Sequence, residues 1–212
     1  MQIESVNVAA ARNVLIEGRE VLTAIGKRAV AGRVNVGPLG LAGDEQADLS
    51  VHGGLAKAVY AYPSEHYPFW QTVRAQAGLA AAVAGGLPGD SPRDVPLERW
   101  GGALQALPPG ALGENLTLSG LREDQVWIGD VLRFADCRLA VSEPRFPCFK
   151  FNAAMGFRHA AKLMIQSAWC GFYLAVRVPG TLAAGEPFEL IPGPREVGIA
   201  ELFRARVAPK RR

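Results

Sequence analysis

Glycine and proline divide this chain into short apolar runs, and that division constrains the fold more than any other feature. The sequence has 24 glycines and 15 prolines in 212 residues. Short runs rich in β-branched and aromatic residues between turn-forming residues are typical of β-strands. The strand candidates are IESVNVA, NVLI, EVLTAI, RVNV, KAVYAY, NLTL, VLRF, CRLAVS, FYLAVRV and PFELI. So many short strands predict a closed or sandwiched β architecture.

Turn residues and helical spacing refine this prediction. The runs NVLI and EVLTAI are joined through Glu17 and Gly18, which predicts a β-hairpin. Helical signals are confined to PSEHYPFWQTVRAQ, AMGFRHAAKLMIQS and VGIAELFRA. A mainly antiparallel β core with a few peripheral helices places the chain in the mainly β to α+β class.

The length of the chain suits one domain with its own core. We expect a single domain over residues 1–203, with an elaborated Ala-, Gly- and Pro-rich connection at 75–113, followed by a basic tail at 204–212. The formal net charge is +3, and the tail accounts for more than that excess. Because the body has no basic stripe interleaved with aromatic residues, we expect no nucleic-acid partner. No segment is apolar enough to span a bilayer and no secretory pattern opens the chain, so we expect a soluble, cytoplasmic protein without a membrane partner.

The three cysteines differ in their sequence context. Cys148 in SEPRFPCFKF follows two prolines and lies between Arg145 and Lys150. The prolines predict a rigid loop after the strand RLAVS, and nearby cations favour a thiolate, which is a soft metal ligand and a nucleophile. A small buried hydrophobic residue is an equally good interpretation of Cys148 from these residues alone. Cys137 and Cys170 lack such surroundings and are assigned to core packing.

Two glycine-containing segments are candidates for binding an anion. VHGGLAK places a histidine, bare backbone amides and a cation close together, through His52, Gly53, Gly54 and Lys57. This combination suits a phosphate or the edge of a pterin, although a tight turn into the strand KAVYAY explains it at least as well. The segment ALGENLTL contributes Gly113, Glu114 and Asn115 at the start of another strand, and a polar turn is the simpler explanation.

Four sequence blocks follow one another along the chain: LAGDEQADLSVHGG with KAVYAYPSEHY, GENLTLSGL, IGDVLRF and VSEPRFPCFKF. Taken together and in this order, they closely resemble the MOSC (molybdenum cofactor sulfurase C-terminal) domain, in its YiiM-like branch. The resemblance runs from about Val6 to Ile191. It implies a β-barrel-like core that binds the molybdenum–molybdopterin cofactor, with Cys148 as the molybdenum ligand. The other residues that it places around the cofactor are His52, Gly53, Gly54, Gly113, Glu114, Asn115, Ser142, Arg145 and Lys150.

From these positions we expect individual roles. Arg145 and Lys150 would offset the negative charge of the cofactor, His52 would relay a proton, and the glycines would admit the pterin closely. Lys57 joins this set through its proximity to the glycine pair. Cys148, His52 and Arg145 are thus the predicted catalytic residues.

The resemblance also implies an activity, which is the removal of oxygen from N-hydroxylated compounds such as hydroxylamines, hydroxylaminopurines and amidoximes. Because the chain has no evident flavin, nicotinamide or iron–sulfur motif, electrons would come from a separate reductase. An alternative is a carrier that holds molybdopterin, or sulfur on Cys148, without turnover of its own. A cysteine hydrolase that pairs Cys148 with His52 is less favoured, because no sequence signal places a histidine beside the thiol.

Overall fold

The structure, a computed structural model, describes residues 1–47, 53–83 and 106–208. Its strands are β1 (Gln2–Val8), β2 (Arg12–Ile16), β3 (Arg19–Thr23), β4 (Arg28–Ala29), β5 (Val34–Gly37), β6 (Gly40–Leu41), β7 (Val59–Pro63), β8 (Leu116–Ser119), β9 (Val131–Arg133), β10 (Arg138–Pro144), β11 (Phe172–Val178), β12 (Gly180–Leu182) and β13 (Glu189–Ile191). Its α-helices are α1 (Tyr67–Val83), α2 (Phe149–Met155), α3 (Ala160–Ser167) and α4 (Ile199–Val207). Short 3₁₀ helices cover Leu55–Lys57, Ser64–His66 and Glu123–Gln125. The predicted class, mainly β with a few helices, is confirmed.

Eight strands form one sheet in the order β13-β9-β10-β11-β7-β8-β1-β4. Neighbouring strands run antiparallel except β7 and β8, which pair in parallel with Ala61 opposite Leu116. All five residues of β7 are buried, as expected for an apolar strand covered on both faces. The parallel pairing joins two segments that are far apart in the sequence. It brings the backbone of Tyr60 beside the side chain of Asn115.

The predicted hairpin forms a separate two-stranded sheet. Strands β2 and β3 pair antiparallel from Arg12 opposite Thr23 to Ile16 opposite Arg19. Glu17 and Gly18 both have positive φ, at 50° and 74°. Positive φ at both central residues defines a type I′ turn, whose twist matches that of the flanking strands. The hairpin prediction is therefore confirmed.

The expected β-barrel-like core does not form a closed barrel within the described residues, because their large sheet remains open. Its two sides approach where Gln2 forms an isolated bridge with Pro187, and Ile3 N donates to Glu186 O at 3.0 Å. Phe188 N donates to Met1 O at 3.2 Å and Gly185 N donates to Ile3 O at 2.7 Å, so the contact covers only a few residues on either side of this bridge. Strand β13 begins only at Glu189 and pairs with β9. The contact closes the core at one point without making a barrel.

The helices pack on the sheet around large aromatic side chains. Trp70 of α1 is fully buried and meets the ring of Phe151 of α2 edge-on, with 5.4 Å between ring centroids. Gly156 ends α2 with φ 75°, a left-handed conformation that favours glycine. The helical segment AMGFRHAAKLMIQS is therefore divided between the end of α2 and all of α3. The beginning of α2, directly after Cys148, was not predicted.

The domain boundaries stay predictions. Within the expected connection at 75–113, residues 75–83 belong to α1, and residues 84–105 lie outside the described part of the chain. Arg204 and Arg206 of the expected tail belong to α4, and residues 209–212 also lie outside. None of the described helices combines the length and apolar character needed to cross a membrane.

Candidate functional site

A cleft brings together residues from the hairpin end, the glycine-rich segments, the central strands and the loop before α2. Its predicted members are Gly53, Lys57, Gly113, Asn115, Arg145, Cys148 and Lys150. Its other members are Thr23, Ala24, Ile25, Lys27, Asp44, Glu45, Gln46, Ala47, Ala58, Tyr60 and Tyr173. Residues from distant parts of the sequence thus share one surface around a single thiol.

Cys148 stands at the end of the loop that joins β10 to α2. Its backbone is extended, with φ −126° and ψ 176°, and its carbonyl accepts a hydrogen bond from Phe151 N at 2.9 Å. Pro147 restricts the chain just before it, as expected for a rigid loop. The side chain is half-buried, and the next residue, Phe149, is 54% exposed. The thiol is therefore held at the cleft and within reach of a bound molecule.

Cys137 and Cys170 are core residues, as predicted. They are 1% and 0% exposed. Burial, reinforced by the nearby Asp136 carboxylate, raises the pKa of Cys137 to about 12. Burial and then the charge of Glu123 raise the pKa of Cys170 well above its usual range. Neither thiol is suited to bind a metal as a thiolate.

Arg145 is the most deeply buried cation of the cleft, at 4% exposure. Its guanidinium carbon lies 4.7 Å from the ring centroid of Phe151 and 5.4 Å from that of Tyr60, and Nη1 lies 3.4 Å from Met164 Sδ. Burial acts to lower the pKa of Arg145, but electrostatic interactions with Tyr60, Tyr173 and Cys148 outweigh it and the net change is upward. The guanidinium thus keeps its charge between two aromatic faces.

A buried polar network forms another wall of the cleft. Lys27 Nζ pairs with Asp44 Oδ1, and Asp44 Oδ2 accepts a hydrogen bond from Asn115 Nδ2 at 2.8 Å. Asn115 Nδ2 also donates to Asn7 O at 3.2 Å, while Asn115 Oδ1 accepts from Tyr60 N at 3.0 Å. Asn115 therefore connects strands and loops, and its two amide hydrogens already have protein acceptors. Burial lowers the pKa of Lys27, and the Asp44 carboxylate opposes this change.

Two further lysines line the cleft. Lys57 Nζ lies 3.6 Å from Glu143 Oε2 and 5.9 Å from the ring centroid of Tyr173. Lys150 Nζ donates to Leu22 O at 2.9 Å, which connects the hairpin to the start of α2. The ammonium group of Lys150 thus has a backbone acceptor in the protein as well as a place in the cleft.

Gly53 and Gly113 have left-handed backbones that only glycine adopts without strain. Their φ angles are 100° and 90°. A Cβ at Gly53 would lie 2.1 Å from Gln46 Oε1, and one at Gly113 would lie 2.9 Å from Ile25 Cγ1. Glycine at these positions lets neighbouring cleft residues approach the backbone closely.

The remaining predicted residues do not line the cleft or cannot be placed. Glu114 is fully buried behind it, and Ser142 Oγ donates to Ala56 O. Gly54 N donates to Gln46 Oε1 at 3.1 Å, so it supports a lining residue without being one. His52 lies outside the described residues. The roles predicted for all four stay predictions.

Several residues of the cleft could not be predicted from local sequence patterns. Asp44 and Glu45 carried only the signal of a polar turn, and Lys27 followed a glycine in an otherwise ordinary segment. Tyr60 and Tyr173 lie within apolar strand runs, where no local pattern separates a cleft residue from a core residue. Their meeting depends on the pairing of β7 with β11, in which Tyr173 is opposite Tyr60.

The donor set of the cleft favours an anionic ligand with a soft metal. The cationic lining residues are Lys27, Lys57, Arg145 and Lys150, and the carboxylates are Asp44 and Glu45. Across residues 1–47, 53–83 and 106–208, no group of three or more His, Cys, Asp and Glu side chains is arranged to hold a metal ion. A metal bound at Cys148 by the described residues would have to bring other ligands with it, as a metal in an organic cofactor does.

The fold and the cleft define a mainly β protein with a cation-lined site around an accessible thiol. Residues 48–189 match the sequence model of the MOSC domain, and the chain belongs to that family. The protein YiiM of Escherichia coli (strain K12) is 34% identical over 180 residues, which cover 84% of this chain and 68% of that protein. A Gibberella moniliformis protein named as a reductase is 33% identical over 194 residues, covering 89% of this chain but 30% of the longer protein. The crystal structure of YiiM from Geobacillus stearothermophilus matches with a TM-score of 0.67 at 30% identity, covering 97% of this chain and 83% of that one.

Proposed function

We propose that this protein binds the molybdenum–molybdopterin cofactor with Cys148 as a metal ligand and reduces N-hydroxylated compounds. MOSC domains are associated with this cofactor, and one relative is named as a reductase. The observation that carries the proposal is the difference between Cys148 and the other two thiols. Cys148 alone of the three cysteines is not buried, and it alone lines the cleft.

The charge of the cleft supports an anionic cofactor. Arg145 is suited to bind an anion because its described contacts are two aromatic rings, a thioether and the Tyr173 hydroxyl, and none of these is a carboxylate. Arginine and lysine together offset phosphate charge, and a partly desolvated guanidinium does so with charge-assisted hydrogen bonds. Lys57 and Lys150 would add charge at the more exposed side of the cleft.

When bound, the cofactor would supply two-electron redox chemistry. The overall reaction takes a hydroxylamine, two electrons and two protons to an amine and water. Cys148 would hold the metal through its thiolate, and the buried Lys27–Asp44 pair would keep the wall beside the substrate rigid. His52 stays the predicted proton relay. A separate reductase of the kind expected from the sequence would deliver the electrons.

The test is the molybdenum and pterin content of the full chain, expressed in a host that makes the cofactor. We expect near-stoichiometric molybdenum and pterin in the wild type, and loss of metal in a Cys148→Ala variant. Cys137→Ala is the matched control, because it removes a buried thiol outside the cleft. Turnover of a hydroxylamine with a chemical reductant would then establish the activity.

The outcomes separate the hypotheses. Neither metal nor pterin in the wild type would refute the proposal. Bound cofactor without turnover of any hydroxylamine or amidoxime, together with transfer to an apo-enzyme, would support the carrier alternative. Equal metal content in the wild type and the Cys148→Ala variant would remove Cys148 as the ligand.

A further inference from the structure

Phe146, two residues before Cys148, is stacked on the C-terminal helix. The rings of Phe146 and Phe203 are nearly parallel, with 5.3 Å between centroids and 14° between planes. The guanidinium carbon of Arg206 lies 5.8 Å from the Phe146 ring centroid. Phe203 is fully buried, whereas Phe146 is half-buried. The loop that carries the thiol therefore rests on α4.

Helix α4 is itself fixed to the sheet at its first residues. Ile199 N donates to Val126 O at 2.9 Å, and Gly198 forms an isolated bridge with Trp127. Ile199 is fully buried. The position of Phe203 is thus set by backbone hydrogen bonds and core packing that do not involve the cleft. None of the described residues of α4 lines the cleft.

The opposite side of the loop is fixed by Arg145. Its side chain points into the core, between the rings of Tyr60 and Phe151. Arg145 and Phe146 contact different neighbours, since Arg145 lies against the rings of the central strands and α2 whereas Phe146 lies against α4. Pro147 then limits the conformations that Cys148 can take relative to them. The loop is held from both sides directly before the thiol.

We infer that Phe203, acting through its stack on Phe146, positions the Cys148 thiol in the cleft. Helix α4 is then part of the active-site support although it does not touch the cleft. Phe203 is a positioning residue, because it acts on Cys148 through Phe146 and does not itself line the cleft. The functional consequence rests on the proposed role of Cys148, but the position of the thiol can be measured without any cofactor.

The test is the alkylation rate of Cys148 by iodoacetamide in the cofactor-free full chain, at fixed pH and with peptide mapping of the labelled cysteine. The interaction energy of one aromatic pair, converted to an equilibrium constant for opening of the loop, corresponds to a change of about 2- to 13-fold in the alkylation rate. We expect Phe203→Ala and the milder Phe146→Leu to accelerate the alkylation of Cys148 within this range. Phe203→Trp, which retains a stacking ring, should return the rate toward that of the wild type.

The matched control is Phe188→Ala. Phe188 is 5% exposed and pairs with Phe134 at 5.3 Å, so its removal costs a similar aromatic core contact away from the loop. We expect this control to lose stability but to keep the wild-type alkylation rate at Cys148. If Phe203→Ala fails to fold, Phe146→Leu alone decides the matter. Wild-type rates in Phe146→Leu, or equal acceleration in Phe188→Ala, would overturn the inference whether or not the protein binds molybdenum.

Discussion

Glu114 and Arg145 are both buried beside the cleft, yet their surroundings differ in kind. The Glu114 carboxylate accepts hydrogen bonds from Gly110 N at 2.7 Å, Thr117 Oγ1 at 2.9 Å and Leu112 N at 3.1 Å, and also from the Tyr67 hydroxyl. Arg145 instead contacts aromatic faces, a sulfur atom and the Tyr173 hydroxyl, and no carboxylate. A buried charge whose partners are all supplied by the chain holds the structure together. A buried charge without an opposite charge among its described neighbours is suited to receive one from a ligand.

The largest expected effect is on stability, from Glu114→Ala. This change leaves several buried donors without an acceptor and should lower the free energy of unfolding by about 3–5 kcal/mol. Urea denaturation followed by circular dichroism measures it. Glu114→Gln, which keeps an acceptor oxygen, is the control and should lose clearly less. Equal and small losses in both variants would mean that Glu114 does not organise the segment from Gly110 to Asn115.

Arg145→Met, unlike Glu114→Ala, should reduce cofactor binding much more than stability. A neutral side chain of similar length fits between the two rings, so we expect the free energy of unfolding to change by no more than about 1 kcal/mol. Loss of a charge-assisted contact to an anion should weaken cofactor retention by about 10- to 100-fold. The measurement is molybdenum and pterin content after dialysis, beside urea denaturation of the same sample. A severe loss of stability with unchanged cofactor content would erase the contrast with Glu114.

The pH dependence of stability sharpens the comparison further. Burial raises the pKa of Glu114 above its ordinary value of 4.5, and its hydrogen bonds oppose this change only in part. The folded state therefore binds the Glu114 proton more tightly than the unfolded state does. The stabilisation that results is fully present below about pH 4.5 and is lost as the pH rises through the pKa of the folded state. Relative to Glu114→Gln, the wild type should lose at most about 1.4 kcal/mol per pH unit in that window. Parallel stability curves for the two proteins, from denaturation at a series of pH values, would contradict the upward shift.

Substitution of Lys150 should have the smallest effect. Its side chain is half-buried, lines the cleft as Arg145 does, and has an acceptor within the protein as Glu114 has its donors. Lys150→Met removes the hydrogen bond to Leu22 O and should lower the free energy of unfolding by about 0.5–1.5 kcal/mol. Thermal denaturation measures this change, with Lys162→Met on α3 as a control outside the cleft lining. A loss as large as that of Glu114→Ala would show that Lys150 belongs to the structural group.

Much of the local structure could be predicted because turn chemistry and apolar runs act over a few residues. The turn at Glu17 and Gly18 and the burial of Cys137 and Cys170 are examples. The beginning of α2 was missed because Pro147 and the aromatic residues after it mask the helical signal. The number of strands predicted a closed or sandwiched architecture, and the family resemblance implied a barrel-like core. Whether the sheet closes depends on contacts between residues 1–3 and 185–188 that no local pattern reveals.

The sequence by itself determined the family, through ordered blocks that include the cysteine segment, and it singled out Cys148 by its prolines and cations. Only the tertiary structure decided which polar residues share the cleft. Lys27 and Asn115 are brought together because β1 pairs with both β4 and β8, and Asp44 joins them through a hydrogen bond from Ala9 N at 2.9 Å, just after β1. It also decided that Glu114 supports the cleft from behind and that Arg145 faces aromatic rings. The physical reason is that burial and pairing of charges are set by contacts between distant parts of the chain, which local sequence patterns do not encode.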